Sequence, residues 1–307
     1  MKLALQFPHI VYREGPAAVA QLARAAESIG FDQIDLFDHV VMGHPMEGRD
    51  PGPYPSEMPI LEPLVALGFL AAVTERVGLG IEVLVLPQRQ PALVAKQIST
   101  LDTLSAGRIR LGVGVGWQEC EYEALGTAFR KRGRMIDEAI PLLRTYWSEK
   151  SVDFEGTYYR ATQLAMEPKP PQAGAIPIWV GGDSPAALRR AGELGDGWMA
   201  NGAITEDEVA AIATVKRHAE EAGRDPEALG FQAQITAPPD PDDPLGRDFH
   251  SSPDRIAAVA RTAREAGFGW AALNASLIYV AGAQNADGLC EDLEKIHQRV
   301  RAEVGHD

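Results

Sequence analysis

RIRLGVGVGW, residues 108–117, reads as a buried strand whose last turns carry a glycine at every second position, Gly112, Gly114 and Gly116. Side chains alternate across a strand, so the three glycines share one face and leave main chain bare where the strand runs out. Something bulky is expected against that face. Two other segments end in a related way: VGLGIEVLVLP at 77–87, and IWVGGD at 178–183, which runs directly into a helix start at Ser184-Pro185. Together the three point to a flat ligand with a phosphate, held by main chain at one end of a parallel barrel.

Outward from these segments, apolar strand-like runs alternate with helix-period segments along nearly the whole chain, the pattern of βα units around a parallel sheet. Strands are predicted at 2–7, 33–37, 78–85, 109–115, 178–180, 197–199, 230–235 and 270–274. Helices are predicted near 17–29, 63–74, 92–104, 130–147, 185–194, 206–222, 254–266 and 288–303. The fold class is therefore α/β, a (β/α)8 TIM barrel, with one domain expected over residues 1–307. Pro91, Pro185 and Pro253 stand where a first helical turn tolerates a missing N–H, and Gly30, Gly107, Gly195, Gly223 and Gly267 where helices end left-handed. Stretches 38–61, 152–177 and 237–252 exceed ordinary connections, which puts insertions after strands two, four and seven. The second of them contains VDFEGTYY, expected as a hairpin turning at Glu155-Gly156.

Composition narrows the function classes. A chain of 307 residues with 45% hydrophobic content supports a large core, and a net charge of −14 argues against nucleic acid or an anionic membrane as partner. The opening MKLALQFPHI is broken by Gln6 and Pro8 and reads as a first strand, not a secretory signal. The apolar run at 64–73 is too short for a bilayer, so no membrane segment is expected. Two cysteines, Cys120 and Cys290, fit a reducing cytoplasm.

Residues just past the strand ends of such a barrel are the first candidates for chemistry. Asp38 and His39 follow the second strand; a histidine there exchanges a proton near neutral pH, and the adjacent carboxylate orients it or binds a ligand edge. The alternative is a loop histidine satisfied by main chain. His44 lies five residues on, but the residues between offer no oxygen side chain, and no metal site is expected. Gly181-Gly182-Asp183-Ser184-Pro185 suits a phosphate approached by glycine main chain at a helix start, with a cap by Asp183 or Ser184 as the ordinary alternative. Trp117 is a candidate wall for a planar ring, Trp179 is expected in the core, and Arg189 and Arg190 are expected as solvated surface.

The segments resemble those of the bacterial luciferase-like flavin and deazaflavin oxidoreductases, and within them the branch dependent on coenzyme F420. The resembling residues are FDHV at 37–40, VLVLP at 83–87, RQPALVAKQISTLDTLSAGRI at 89–109, LGVGVGW at 111–117, FEGTYY at 154–159, PKPPQ at 168–172 and IWVGGDSPAALRRAGELGDGW at 178–198. The resemblance implies a bulge in the third strand with a non-prolyl cis peptide at Glu82-Val83. Glu82 stands where relatives carry a small residue, and a structural pairing is expected for it, with service as an acid as the alternative. By the same resemblance Asp38 and His39 lie beside ring and substrate, with His39 exchanging the proton. Glu82, Val83, Gly114, Val115, Gly116 and Trp117 meet the cofactor, and Gly181, Gly182 and Asp183 its phosphate. Some relatives place an acid directly after the strand-four glycines; here Trp117 stands there, with Glu119 and Glu121 just beyond and unassigned. The implied activity is hydride transfer between coenzyme F420 and a small organic substrate. The acidic, lysine-free MANGAITEDE after the sixth strand favours a neutral one. Two other readings stand beside it: a two-component monooxygenase using reduced FMN from a separate reductase, and a non-catalytic flavin or deazaflavin carrier. A homodimer is the family expectation.

Overall fold

A computed structural model of the chain describes residues 1–49, 52, 55–172 and 176–305. In chain order the elements are β1 (Lys2–Gln6), α1 (Pro16–Ile29), β2 (Gln33–Leu36), α2 (Pro63–Val73), β3 (Gly78–Val85), α3 (Pro91–Leu104), β4 (Ile109–Gly114), α4 (Glu119–Ala124) and α5 (Arg132–Ser148). They continue with β5 (Val152–Glu155), β6 (Arg160–Leu164), β7 (Ile178–Gly181), α6 (Pro185–Leu194), β8 (Gly197–Met199), α7 (Glu206–Glu221), β9 (Gly230–Ile235), α8 (Arg247–His250), α9 (Pro253–Glu265), β10 (Trp270–Asn274), α10 (Ala275–Ile278) and α11 (Ala286–Val304). Eight of the strands pair in parallel and close on themselves in the order β1-β10-β9-β8-β7-β4-β3-β2, with β5 and β6 as a separate antiparallel hairpin. This is the expected (β/α)8 barrel. Each barrel strand ends within a residue of its predicted bounds.

The signals that set the elements are local. Proline opens α1, α2, α3, α6 and α9, where its missing N–H costs no helical bond. The hairpin is present in the insertion after β4, but its turn is wider than expected, with Glu155 facing Arg160. Gly195 departs from expectation: its φ is −85°, not left-handed, and a Cβ there would stand 2.9 Å from the Ala191 carbonyl, so crowding accounts for the glycine. The short helices α4, α8 and α10 lie in the connections and were not predicted, being too brief to show a period.

Arg190 also differs from the expectation, while Arg189 keeps 38% of its side chain exposed. Arg190 is 2% exposed and donates through Nε to Asp137 Oδ1 at 2.7 Å, because α6 packs that face against α5; Arg189 joins the same carboxylate at 3.2 Å. Trp179 lies in the core as expected, but around a cation. Arg110 sits between the rings of Trp179 and Trp270, 4.5 Å from each centre, and Nη2 donates to Asp35 at 2.6 Å and Gln232 at 2.8 Å. A buried pair offsets its desolvation only with such further partners. The register sets Asp35, Gly80 and Arg110 at one level of the barrel. Positions further along each strand therefore face the mouth.

Candidate active site at the strand ends

A cavity of about 510 Å³ opens at the C-terminal ends of the strands. That volume falls within the range of ordinary small-molecule pockets. Its wall takes Asp38 and His39 from the end of β2, Glu82, Val83 and Val85 from β3, and the stretch from Gly114 to Trp117 that closes β4. Gly181 and Gly182 come from the end of β7 and the residue after it, Met199 to Asn201 from the end of β8 and just beyond, and Gln234 from β9. The residues singled out in sequence thus meet in one place, with one exception. Asp183 is outside the lining; its carboxylate accepts from the Asn201 N–H at 3.3 Å, and burial raises its pKa.

β3 explains the glycines. Its register against β4 shifts between Ile81 and Leu84, and the Glu82-Val83 peptide is cis. The bulge drives Val83 between neighbouring strands: a Cβ on Gly114 would stand 2.5 Å from Val83 Cγ2, and one on Gly181 2.7 Å from Val83 Cγ1. Gly116 is likewise closed against Val85, and Gly112 against the Ile81 carbonyl and Met199. The bulky group expected on the glycine face is therefore in the first place the protein's own bulge, with the cavity beyond it. Gly182 adopts a φ of +107°, a conformation that L residues rarely take. Ser184 caps α6 by accepting from the Ala187 N–H, so the capping alternative is realised at that residue.

His39 is oriented by a carboxylate, but not by its neighbour. Asp38 is consumed elsewhere: Oδ1 accepts from Arg89 Nη2 at 2.6 Å and Oδ2 from the Val85 N–H at 2.8 Å. Burial pushes its pKa up while Arg89 and that amide oppose the shift. The group that meets His39 is Glu121 of α4, with Oε2 3.2 Å from Nδ1; its Oε1 accepts from the Val40 N–H at 2.6 Å. Burial alone would raise the Glu121 pKa, but the bonds from His39 and the Val40 amide, with the Gln88 amide nearby, outweigh it and hold the carboxyl below its ordinary value. Trp117 lies edge-on to His39, ring centres 5.6 Å apart, and lines the cavity. Gln118 fastens the same loop, accepting from the Gly43 N–H at 2.6 Å and donating to the Val41 carbonyl at 2.8 Å. Arg89, Gln118, Gln234 and Asn201 were not singled out in sequence. In the sequence Glu121 stands only as one of two acids, with Glu119, just beyond the glycine strand.

Glu82 does not make the structural pairing expected of it. Its side chain is buried, both carboxyl oxygens lack a hydrogen-bond donor, and the nearby cation Arg110 gives only Nη2, to Asp35 and Gln232, leaving Nε and Nη1 unpartnered. Burial, with the charge of Asp35 adding, pushes its pKa up to about 7, against the pull of Gln6, Arg110 and Gln232. Among the described residues no group of histidines, cysteines and acids is arranged to hold a metal, and no helix is long and apolar enough to cross a membrane.

A parallel barrel whose third strand bulges beneath a cavity lined by strand-end glycines and a held histidine defines a class. The family model of luciferase-like monooxygenases matches residues 3–244, and the chain belongs to that family. It is 40% identical over 212 residues to an uncharacterized protein of Mycobacterium tuberculosis, covering 66% of this chain and 72% of that one. It is 36% identical over 189 residues to the F420-dependent glucose-6-phosphate dehydrogenase of Nakamurella multipartita, covering 60% of this chain and 52% of that enzyme. The chain thus spans about half the length of that relative. Among solved structures, the coenzyme F420 dependent tetrahydromethanopterin reductase of Methanopyrus kandleri superposes with a TM-score of 0.76 over 98% of both chains at 18% identity, a likeness of fold.

Proposed function

We propose that this protein is an oxidoreductase that moves a hydride between coenzyme F420 and a small, neutral organic substrate. The observation that carries the reading is the convergence in one cavity of a carboxylate-held histidine and glycine main chain three strands further round the barrel. Family membership and the F420-dependent relative support it. The lining suits a flat ring with polar edges and an anionic tail: Val83, Val85 and Met199 offer apolar contact, Asn201 and Gln234 offer hydrogen bonds, and Gly181 with Gly182 offers main chain to a phosphate. When bound, the deazaflavin supplies the hydride-carrying carbon. His39, its Nδ1 turned to Glu121, exchanges the accompanying proton through Nε2. Trp117 stands edge-on beside that ring, and Asp38 fixes the strand end by holding the Val85 N–H next to the bulge.

The substrate side points away from a phosphorylated compound. Among the described residues no lysine or arginine lines the cavity, and the wall after β8 leads into Glu206, Asp207 and Glu208 at the start of α7. Two partners belong to the same proposal: a separate enzyme that replenishes the cofactor, and a second copy of this chain. The unpaired Cys120 and Cys290 suit a cytoplasmic setting. The test is titration of the purified protein with F420 and with FMN, each oxidised and reduced. Tight F420 binding with substrate turnover is expected. Binding of FMN alone with oxygen-dependent turnover would make it a monooxygenase, and binding without any turnover would make it a carrier.

A further inference from the structure

Glu82 is the buried ionisable group that the proposed mechanism leaves unused. The level of Asp35, Gly80 and Arg110 lies deeper in the barrel, and Glu82, two residues beyond Gly80, turns inward one level nearer the cavity that it helps to line. From β1 and β9 the amides of Gln6 and Gln232 stand beside it, each with Nε2 unpartnered, and from β2 and β4 the charges facing it are Asp35 and Arg110. On the cavity side the titratable neighbours are Asp38, bound to Arg89, and His39, bound to Glu121. Neither carboxyl oxygen has a donor in hydrogen-bond geometry, although Nε2 of both glutamines and Nε and Nη1 of Arg110 are themselves unpartnered nearby, so an ionised carboxylate here is desolvated without a bond to offset it. A carboxylic acid at the same place carries no charge, turns its O–H toward the cavity and keeps its carbonyl oxygen for the Gln6 or Gln232 Nε2.

We propose that Glu82 is a proton-linked binding residue in the floor of the cavity, held as the neutral acid whenever an anionic redox cofactor is seated above it. This rests on the reading of the cavity as an F420 or FMN site. Negative charge brought into the cavity raises the cost of ionising Glu82, so loading draws one proton from the buffer onto any Glu82 that was ionised beforehand. Its pKa in the free protein lies near neutrality, pushed to about 7 by burial and by Asp35. In the loaded protein it is higher still. Affinity is then full at lower pH and falls as pH rises through the free-protein value.

The experiment measures F420 affinity from about pH 6 to about pH 8.5 for the wild type and for Glu82→Gln, with calorimetry of the wild type in buffers of different ionisation heat. Titration of the cofactor itself cancels in the comparison of the two proteins. Wild-type affinity is expected to fall by up to about tenfold per pH unit above neutrality, with net proton uptake. Glu82→Gln is expected to keep the low-pH affinity across the range. Parallel pH curves for the two proteins, or no proton uptake by the wild type, overturn the proposal while leaving the cofactor reading intact. Failure of both proteins to bind F420 or FMN at any pH overturns that reading, and this one with it.

Discussion

His39 has its direction from a residue that sequence order hides. The adjacent Asp38 is spent on Arg89 and on the bulged strand, so the carboxylate that sets the imidazole arrives from Glu121, separated by 82 positions along the chain. Proximity in sequence suggested the wrong partner, because two successive side chains at a strand end leave in different directions. Replacing His39 with Ala is expected to lower turnover by about a hundredfold or more while F420 affinity stays within about twofold. Steady-state kinetics beside a binding titration separates the two effects. Glu121→Gln keeps the shape but removes the charge that the Val40 and Val41 amides and the imidazole all face. A drop in turnover of about tenfold is expected, since charge-assisted bonds are worth about 1.5–3 kcal/mol and part of the geometry survives. Turnover equal to wild type would remove Glu121 from the positioning of His39.

At the scale of elements, the strands were legible because each is a run of Val, Ile and Leu bounded by turn residues, and the site was legible where glycines mark strand tips. The reason for those glycines was not. The demand comes from the β3 bulge, a property of pairing between strands that a single segment does not display. Gly114→Ala would set a methyl group 2.5 Å from Val83, and overpacking of this kind costs about 1–3 kcal/mol, read as a lowered thermal midpoint. The long connection after β2 is governed by another contact at a distance. His9 receives the Phe37 N–H at Nε2, 3.3 Å, and faces the Leu61 N–H with Nδ1, 3.1 Å, so one imidazole stands between the two ends of the loop. Burial lowers its pKa to about 4 from 6.5. A histidine depressed in the fold contributes stability that is full above the unfolded value and is lost as pH falls toward the folded one. Between those limits the loss reaches about 3 kcal/mol, and protonation sets N–H against N–H at both loop ends. Thermal scans from neutral to mildly acid pH are expected to show this slope in the wild type and a shallower one in His9→Gln.

For the molecule as a whole, alternation of strands and helices was enough to define the barrel, and a net charge of −14 agreed with a small-molecule enzyme. The ionic filling of the barrel was not legible: Asp35, Arg110 and Gln232 read as scattered polar residues until the closed sheet brings them to one axis. The outer surface carries the last consequence. α2, PLVALGFLAAV, is apolar on every side, and a helix of that kind needs cover all round. The barrel covers Leu64, Leu67 and Leu70, yet Val65 remains 75% exposed and Phe69 40%, beside Tyr12 and Leu61 in an apolar groove. Water against such a patch is unfavourable by about 25 cal/mol per Å², which a second copy of the same helix face relieves. Paired with its own copy about a two-fold axis, such a patch closes in a dimer without leaving a further apolar edge. The mass in solution is therefore expected to be twice the 33.1 kDa of one chain. Phe69→Glu, which puts a charge in the centre of the patch and touches nothing in the cavity, is expected to halve that mass by light scattering while F420 binding persists. A wild-type mass of one chain across micromolar concentrations would overturn the dimer and leave the groove to some other cover.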